Sequence, residues 1–223
     1  MNINLTLVWA DEFQIPVLRQ AFSVSGNFKQ TMADNETSLD KSIGGLFMMI
    51  IFTVIWTILA EYYFNNYDYR IAGVVLGFGV SYLIYNYWIF NKKKTSLPKT
   101  EQVKNPKKER LFWIIFAIEG IAIFLTINFL INFKKENLLI SCLALIVGLH
   151  FIPLAKVFDR KFHFYIGIWT IFVAVLALFL IVQNSYNYKV VNAFLCCACA
   201  ISTTLCGQHM INNGKKILSI IRE

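Results

Sequence analysis

Six stretches of the chain are long and apolar enough to cross a bilayer: Ile43–Phe64, Ile71–Phe90, Leu111–Ile131, Leu138–Ala155, Phe162–Val182 and Val190–Ile211. A hydrocarbon core takes about 20 consecutive apolar residues per helix. Helices suit that setting because each satisfies its own backbone hydrogen bonds. Glu119 apart, the interiors of these runs carry almost no acid or base, which argues against a soluble bundle with buried helices. Hydrophobic residues make up 57% of the chain and charged residues 15%, where a soluble domain carries about 25% charged. Mean hydropathy is +0.55. The expected fold is all-α: a polytopic membrane protein with six transmembrane helices in antiparallel hairpins.

The charges left over decide the orientation. Asn91–Arg110 carries eight basic residues, among them Lys92, Lys93, Lys94, Lys107 and Lys108, with Pro98 and Pro106 to interrupt any helix. With that loop inside, both termini and the turn Lys156–Lys161 are inside too. The inside then holds three basic residues from the N-terminus, eight from the loop, three from the turn and three from the C-terminus. That is 17 of 21, leaving Arg70, Lys134, Lys135 and Lys189 outside. Loops rich in Lys and Arg stay in the cytoplasm. No aromatic residues interleave the basic run to stack on bases, so it reads as a topology signal rather than a nucleic-acid patch. Its lysines also suit anionic lipid, each contributing about 1 kcal/mol near the surface.

The chain then divides into a cytoplasmic N-terminal tail (1–42), a transmembrane hairpin (43–90), the basic loop (91–110), a four-helix transmembrane unit (111–211) and a cytoplasmic C-terminal tail (212–223). In the tail, Phe13, Val17, Leu18, Ala21 and Phe22 fit a short amphipathic helix on the membrane surface, or a poorly ordered end. Ser25–Ser42 is polar and reads as a linker. No basic segment precedes a long apolar run at the start, so no signal peptide is expected. Tyr62, Tyr63, Tyr67 and Tyr69 at one end of the first hairpin, and Tyr85, Tyr87 and Trp88 at the other, suit membrane–water interfaces.

Chemistry is sparse, and its placement is informative. Phe133–Glu136 is a tight turn centred at about 134.5, and Glu119 and His150 are equidistant from it, so an antiparallel hairpin puts them level. Counted from Arg110, Glu119 lies roughly 13 Å into the membrane at 1.5 Å per residue. His163 and His209 are nearly level about the turn Asn184–Lys189, at the cytoplasmic rim, where they are expected to face headgroups. Glu119, His150, His163 and His209 are therefore the candidates for a binding site or proton relay, all in the cytoplasmic half. An ionisable group within hydrocarbon costs at least about 2.5–3.5 kcal/mol and faces a partner. Pro153 cannot donate to the carbonyl of Leu149 and marks a helix kink. The competing reading is a satisfied pair that only locks two helices together. Local metal-binding spacing such as H-E-x-x-H is missing, and no metal or other cofactor is expected.

Two further patterns read mainly as packing. Gly73-x-x-x-Gly77 puts small residues on one face of the second helix. Cys196-x-x-Cys199 has redox spacing, yet a thiol buried among apolar residues is usually inert.

The block Gly148-Leu149-His150-Phe151-Ile152-Pro153-Leu154-Ala155-x-x-Phe158, with Glu119-Gly120 upstream, resembles a signature of a family of uncharacterised small multi-pass bacterial membrane proteins. The resemblance covers helices three to five. It implies a bacterial plasma membrane and brings no activity with it. Three functional readings stay open: small-solute or proton-linked transport or sensing through the Glu119–His150 region, a membrane-embedded redox or metal-dependent enzyme, and a non-catalytic interaction subunit. Self-association stays open as well. The absence of Walker, nucleophile-elbow and dinucleotide motifs weighs against the enzyme.

Overall fold

In the computed structural model the described residues are 16–65, 70–95, 106–158 and 160–222, with side chains described from Leu39 onward apart from a few positions. All six spans are helices: α1 (Pro16–Phe64), α2 (Ile71–Thr95), α3 (Pro106–Asn132), α4 (Leu139–Val157, after a 3₁₀ turn Glu136–Leu138), α5 (Lys161–Val182) and α6 (Tyr188–Arg222). Each contains a window long and apolar enough to cross a membrane. There is no strand among the described residues. One end of the bundle carries the α2–α3 connection and the α4–α5 turn, and is the basic end. The other carries the α1–α2, α3–α4 and α5–α6 turns.

The helices outrun the apolar windows. Ser25–Ser42, expected as a linker, is helical and continuous with the first span. No proline interrupts residues 17–64, and Ala, Met, Glu, Lys and Gln are good helix formers outside hydrocarbon. Residues 212–222, expected as a tail, continue α6 in the same way. Pro106 opens α3 in its first turn, where a missing N–H costs nothing. Phe13, Tyr67, Tyr69, Pro98 and the lysines at 99 and 104 lie outside the described residues, as do the side chains of Val17, Leu18, Ala21 and Phe22.

The core forms where α6 lies along α1, with α2 and α5 on either side. Leu46, Thr53, Ala60, Leu83, Cys196, Cys206 and Ile211 are fully buried there. Thr53 and Thr203 join α1 to α6 by a hydroxyl bond of 2.8 Å. With Thr53 donating across that bond, Thr203 donates in turn to the Cys199 carbonyl on its own helix, the usual way a hydroxyl is carried in an apolar setting. Near the opposite end, Ser141 donates to Asn192 Oδ1 at 3.2 Å, and the Asn192 amide donates to the Asn137 carbonyl.

Glycines bring α4 and α5 into backbone contact. A Cβ on Gly148 would lie 2.9 Å from the Ile171 nitrogen, and one on Gly167 would lie 3.0 Å from the Gly148 oxygen. The glycine pair expected to pack, Gly73 and Gly77, is placed differently. Gly77 has open space in front of it, and Gly73 sits against Glu61, whose Oε1 accepts its N–H. That carboxylate caps the first turn of α2, where free N–H groups and the helix dipole favour an anion.

The tight turns close by left-handed residues. The N–H of Lys134 (φ 54°) donates to Ile131 and that of Lys135 to Leu130. Asn184 (φ 51°) and Ser185 repeat the pattern onto Ile181 and Leu180. Both are Schellman motifs, which favour glycine or asparagine at the left-handed position. Lys134 is the misfit. Relief of a strain of about 1–2 kcal/mol, partly offset by the greater freedom of glycine in the unfolded chain, makes Lys134→Gly stabilising by roughly 0.5 kcal/mol. A rise in the unfolding midpoint in detergent checks this, and an unchanged or lower midpoint contradicts it.

Candidate functional site

The candidate residues Glu119, His150 and His163 are buried polar groups of the basic half of the bundle. Glu119 and Leu130 are the buried residues of α3. Its described packing is against α4 and the 3₁₀ turn, with an apolar and mostly exposed surface elsewhere. Glu119 faces α4, where its Oε2 lies 2.9 Å from His150 Nδ1, with both side chains buried. The ring N–H direction falls short of hydrogen-bond alignment, so the contact is a close acid–base pair rather than a well-aligned bond. The ring of Phe116 meets His150 edge-on at 6.3 Å and that of Phe151 at 5.9 Å. Phe112 stacks on Phe116 and meets Phe158 across the helix gap. The pair thus sits in an aromatic shell, a low-dielectric setting in which each group depends on the other for stabilisation.

The helical stripes explain how the two side chains meet. Phe112, Ile115, Phe116, Glu119 and Ile123 recur at three- and four-residue spacing on α3. Leu143, Ile146, Val147, His150 and Leu154 do the same on α4. Pro153 lies inside α4, exposed, and the helix continues through it.

His163 departs from expectation. It does not face headgroups but is buried, 2% exposed, between the rings of Phe151 and Phe158. Its Nε2 is 4.0 Å from Cys206 Sγ on α6, and its Nδ1 has no hydrogen-bond partner. The cause is its position in the first turn of α5, on the face that packs against α4 and α6. His209 is half-buried, stacked on Phe162 at 4.4 Å, with its Nε2 3.1 Å from the Asn213 amide. His150, His209 and Arg160 all lie close enough to His163 to act on it electrostatically.

Arg160 is the residue that sequence reasoning missed. The sequence offers it only as one of three cations in a basic turn. Lys156 and Lys161 are exposed there, but the Arg160 side chain folds inward and its Nη2 donates to Ser42 Oγ on α1 at 3.1 Å. Burial pulls the guanidinium below its usual pKa, opposed by the Cys206 thiol. It remains charged, since arginine keeps its proton in proteins. Nothing in the sequence distinguishes it from its two neighbours.

No disulfide joins the five cysteines. Cys196, Cys199 and Cys206 are buried, while Cys142 and Cys197 are partly so. Cys196 and Cys199 sit in the main apolar core with Leu195 and Ala200. Among the described residues no group of three or more His, Cys, Asp or Glu is arranged to hold a metal ion. The arrangement offers an acid–base pair that can pass a proton, one further imidazole with a free nitrogen, and an inward-facing cation. Comparison of the chain with family models, curated proteins and solved structures found no match.

Proposed function

We propose that this is a multi-pass protein of the bacterial plasma membrane, with both termini in the cytoplasm, and that Glu119 and His150 carry a proton-linked transport or sensing step. The orientation is supported by 17 of 21 basic residues falling on one side. On that side Lys92, Lys93, Lys94, Lys107 and Lys108 lie within reach of anionic headgroups. Lys94 pairs with Asp40 at 2.7 Å, and Lys92 lies over the Trp88 ring.

One observation carries the functional reading: a carboxylate and an imidazole on different helices, 2.9 Å apart and buried, at a depth where ionisable groups are costly. A proton moved from the imidazolium to the carboxylate leaves the net charge unchanged, so the pair tolerates both forms. A second proton leaves one uncompensated positive charge in an apolar shell. That state disfavours the closed contact and biases α3 away from α4. From another helix, His163 on α5 lies close enough to His150 for the two imidazoles to interact electrostatically. Protonation and helix position are then coupled in the manner of a histidine switch.

Proteoliposomes with a trapped pH dye test this reading under an imposed gradient, alongside hydrogen exchange of α3 between pH 5 and 8. Wild type is expected to move protons faster than Glu119→Gln, or to show pH-dependent exchange in α3 that the variant lacks. Identical behaviour of the two in both assays overturns the proposal. A second reading, an interaction subunit, is supported by the reach of α1 and α6. α1 starts about 26 residues before its span opens at Ser42, and α6 continues to Arg222 on the same side.

A further inference from the structure

The inward turn of Arg160 leaves a positive charge with more donors than acceptors. A guanidinium carries five N–H donors, and among the described residues its side-chain bond is the one to Ser42 Oγ. No carboxylate of the described residues lies within ion-pair distance of Arg160; Asp159, its neighbour in the chain, lies outside the described residues. Ser42 is itself 1% exposed, so the contact is built into the bundle. The guanidinium also lies near Gly45 on α1, where a Cβ would approach Nη1 to 3.7 Å. It acts electrostatically on His163, His209 and Cys206. Elements α1, α5 and α6 thus converge on one cation.

Several other features of that place also favour an anion. Arg160 is the residue before α5, with extended backbone and no side-chain cap on the helix, so the first-turn N–H groups and the dipole face the same region. His163 keeps a buried, unpartnered Nδ1 one turn further in. Lys156 and Lys161 flank the turn and are exposed. A half-buried guanidinium with donors to spare favours an anionic partner. The level at which α5 enters the membrane, beside exposed Phe164 and Tyr165, is where lipid phosphates lie.

We propose that Arg160, positioned by Ser42 at the N-terminus of α5, binds a phosphate oxyanion, supplied by a lipid headgroup or as free phosphate. The fork of the guanidinium matches two phosphate oxygens. The site uses neither Glu119 nor His150, so it stands whether or not that pair moves protons.

The test uses the purified full chain. Its thermal midpoint is measured in detergent with inorganic phosphate against chloride at equal ionic strength. It is measured again in nanodiscs of phosphatidylglycerol against phosphatidylcholine. Protection by phosphate identifies a free oxyanion, and protection by phosphatidylglycerol alone identifies the lipid. Arg160→Gln should abolish the increment, and the exposed-site control Lys161→Gln should keep it. Arg160→Lys retains charge without the fork and is expected to weaken binding at least tenfold, which serves if the glutamine variant does not fold. The proposal fails if wild type gains nothing in either arm, if the Arg160 variants keep the full increment, or if Lys161→Gln loses as much as Arg160→Gln.

Discussion

His150→Ala is expected to destabilise the protein by about 1–3 kcal/mol, because it leaves the Glu119 carboxyl buried without its partner. The loss should be concentrated in α3. That helix buries two described residues, Glu119 and Leu130, and its outer surface is apolar and suited to lipid, so the 2.9 Å contact with His150 is a main polar tie to the bundle. Hydrogen exchange or limited proteolysis should then report α3 loosening before α1 or α6. Glu119→Gln should act in the same direction, since an amide keeps the shape but not the acid. The double variant should cost less than the sum of the two, with a coupling of about 0.5–2 kcal/mol, the scale found between membrane helices. Strict additivity in detergent unfolding would show that the two groups are merely adjacent. Coupling in stability with proton movement left at the wild-type level would leave the pair as structure alone.

The second large effect is expected at the α4–α5 crossing. A methyl on Gly148 meets the Ile171 backbone nitrogen at 2.9 Å and its side chain at 2.8 Å. The side chain can rotate away, but the backbone cannot, so Gly148→Ala must push the helices apart. Overpacking of this kind costs about 1–3 kcal/mol, and Gly148→Leu should exceed that and lower the yield of folded protein. Separation at Gly148 also moves His150, two residues on, so the leucine variant should disturb the Glu119 contact as well. Gly77→Ala is the control, because nothing lies within 4 Å of its Cβ position. Its unfolding midpoint should stay at or slightly above wild type. Equal midpoints for Gly148→Ala and wild type would refute the close approach.

What could be read from the sequence follows from what physics constrains. Hydrocarbon thickness sets the length of a span, so six spans were visible in a hydropathy pattern that tertiary packing barely alters. Short turns force antiparallel neighbours, which is why counting from the turn at 134.5 put Glu119 level with His150. Burial around the spans was less legible. His163 reads as a rim residue and Arg160 as one cation of a basic turn, yet both side chains lie inward, because the direction of a side chain at a helix end depends on the neighbours it finds. Of the small-residue pair on α2, Gly73 meets the Glu61 side chain of α1 and Gly77 meets open space. Gly148 and Gly167, in different helices, share no local motif. The polar stretch Ser25–Ser42 looked like a linker because helices in water need no apolar stripe when a longer helix propagates into them.

The unbroken run of α1 has a mechanical consequence. At 1.5 Å per residue, its 49 residues make a rod roughly 73 Å long, more than twice the thickness of the hydrocarbon core. A tilt of about 10° about its midpoint would shift each tip by roughly 6 Å. Small changes in packing within the bilayer would thus be magnified at the tip, and a load applied there would be felt among Ser42, Gly45 and Thr53.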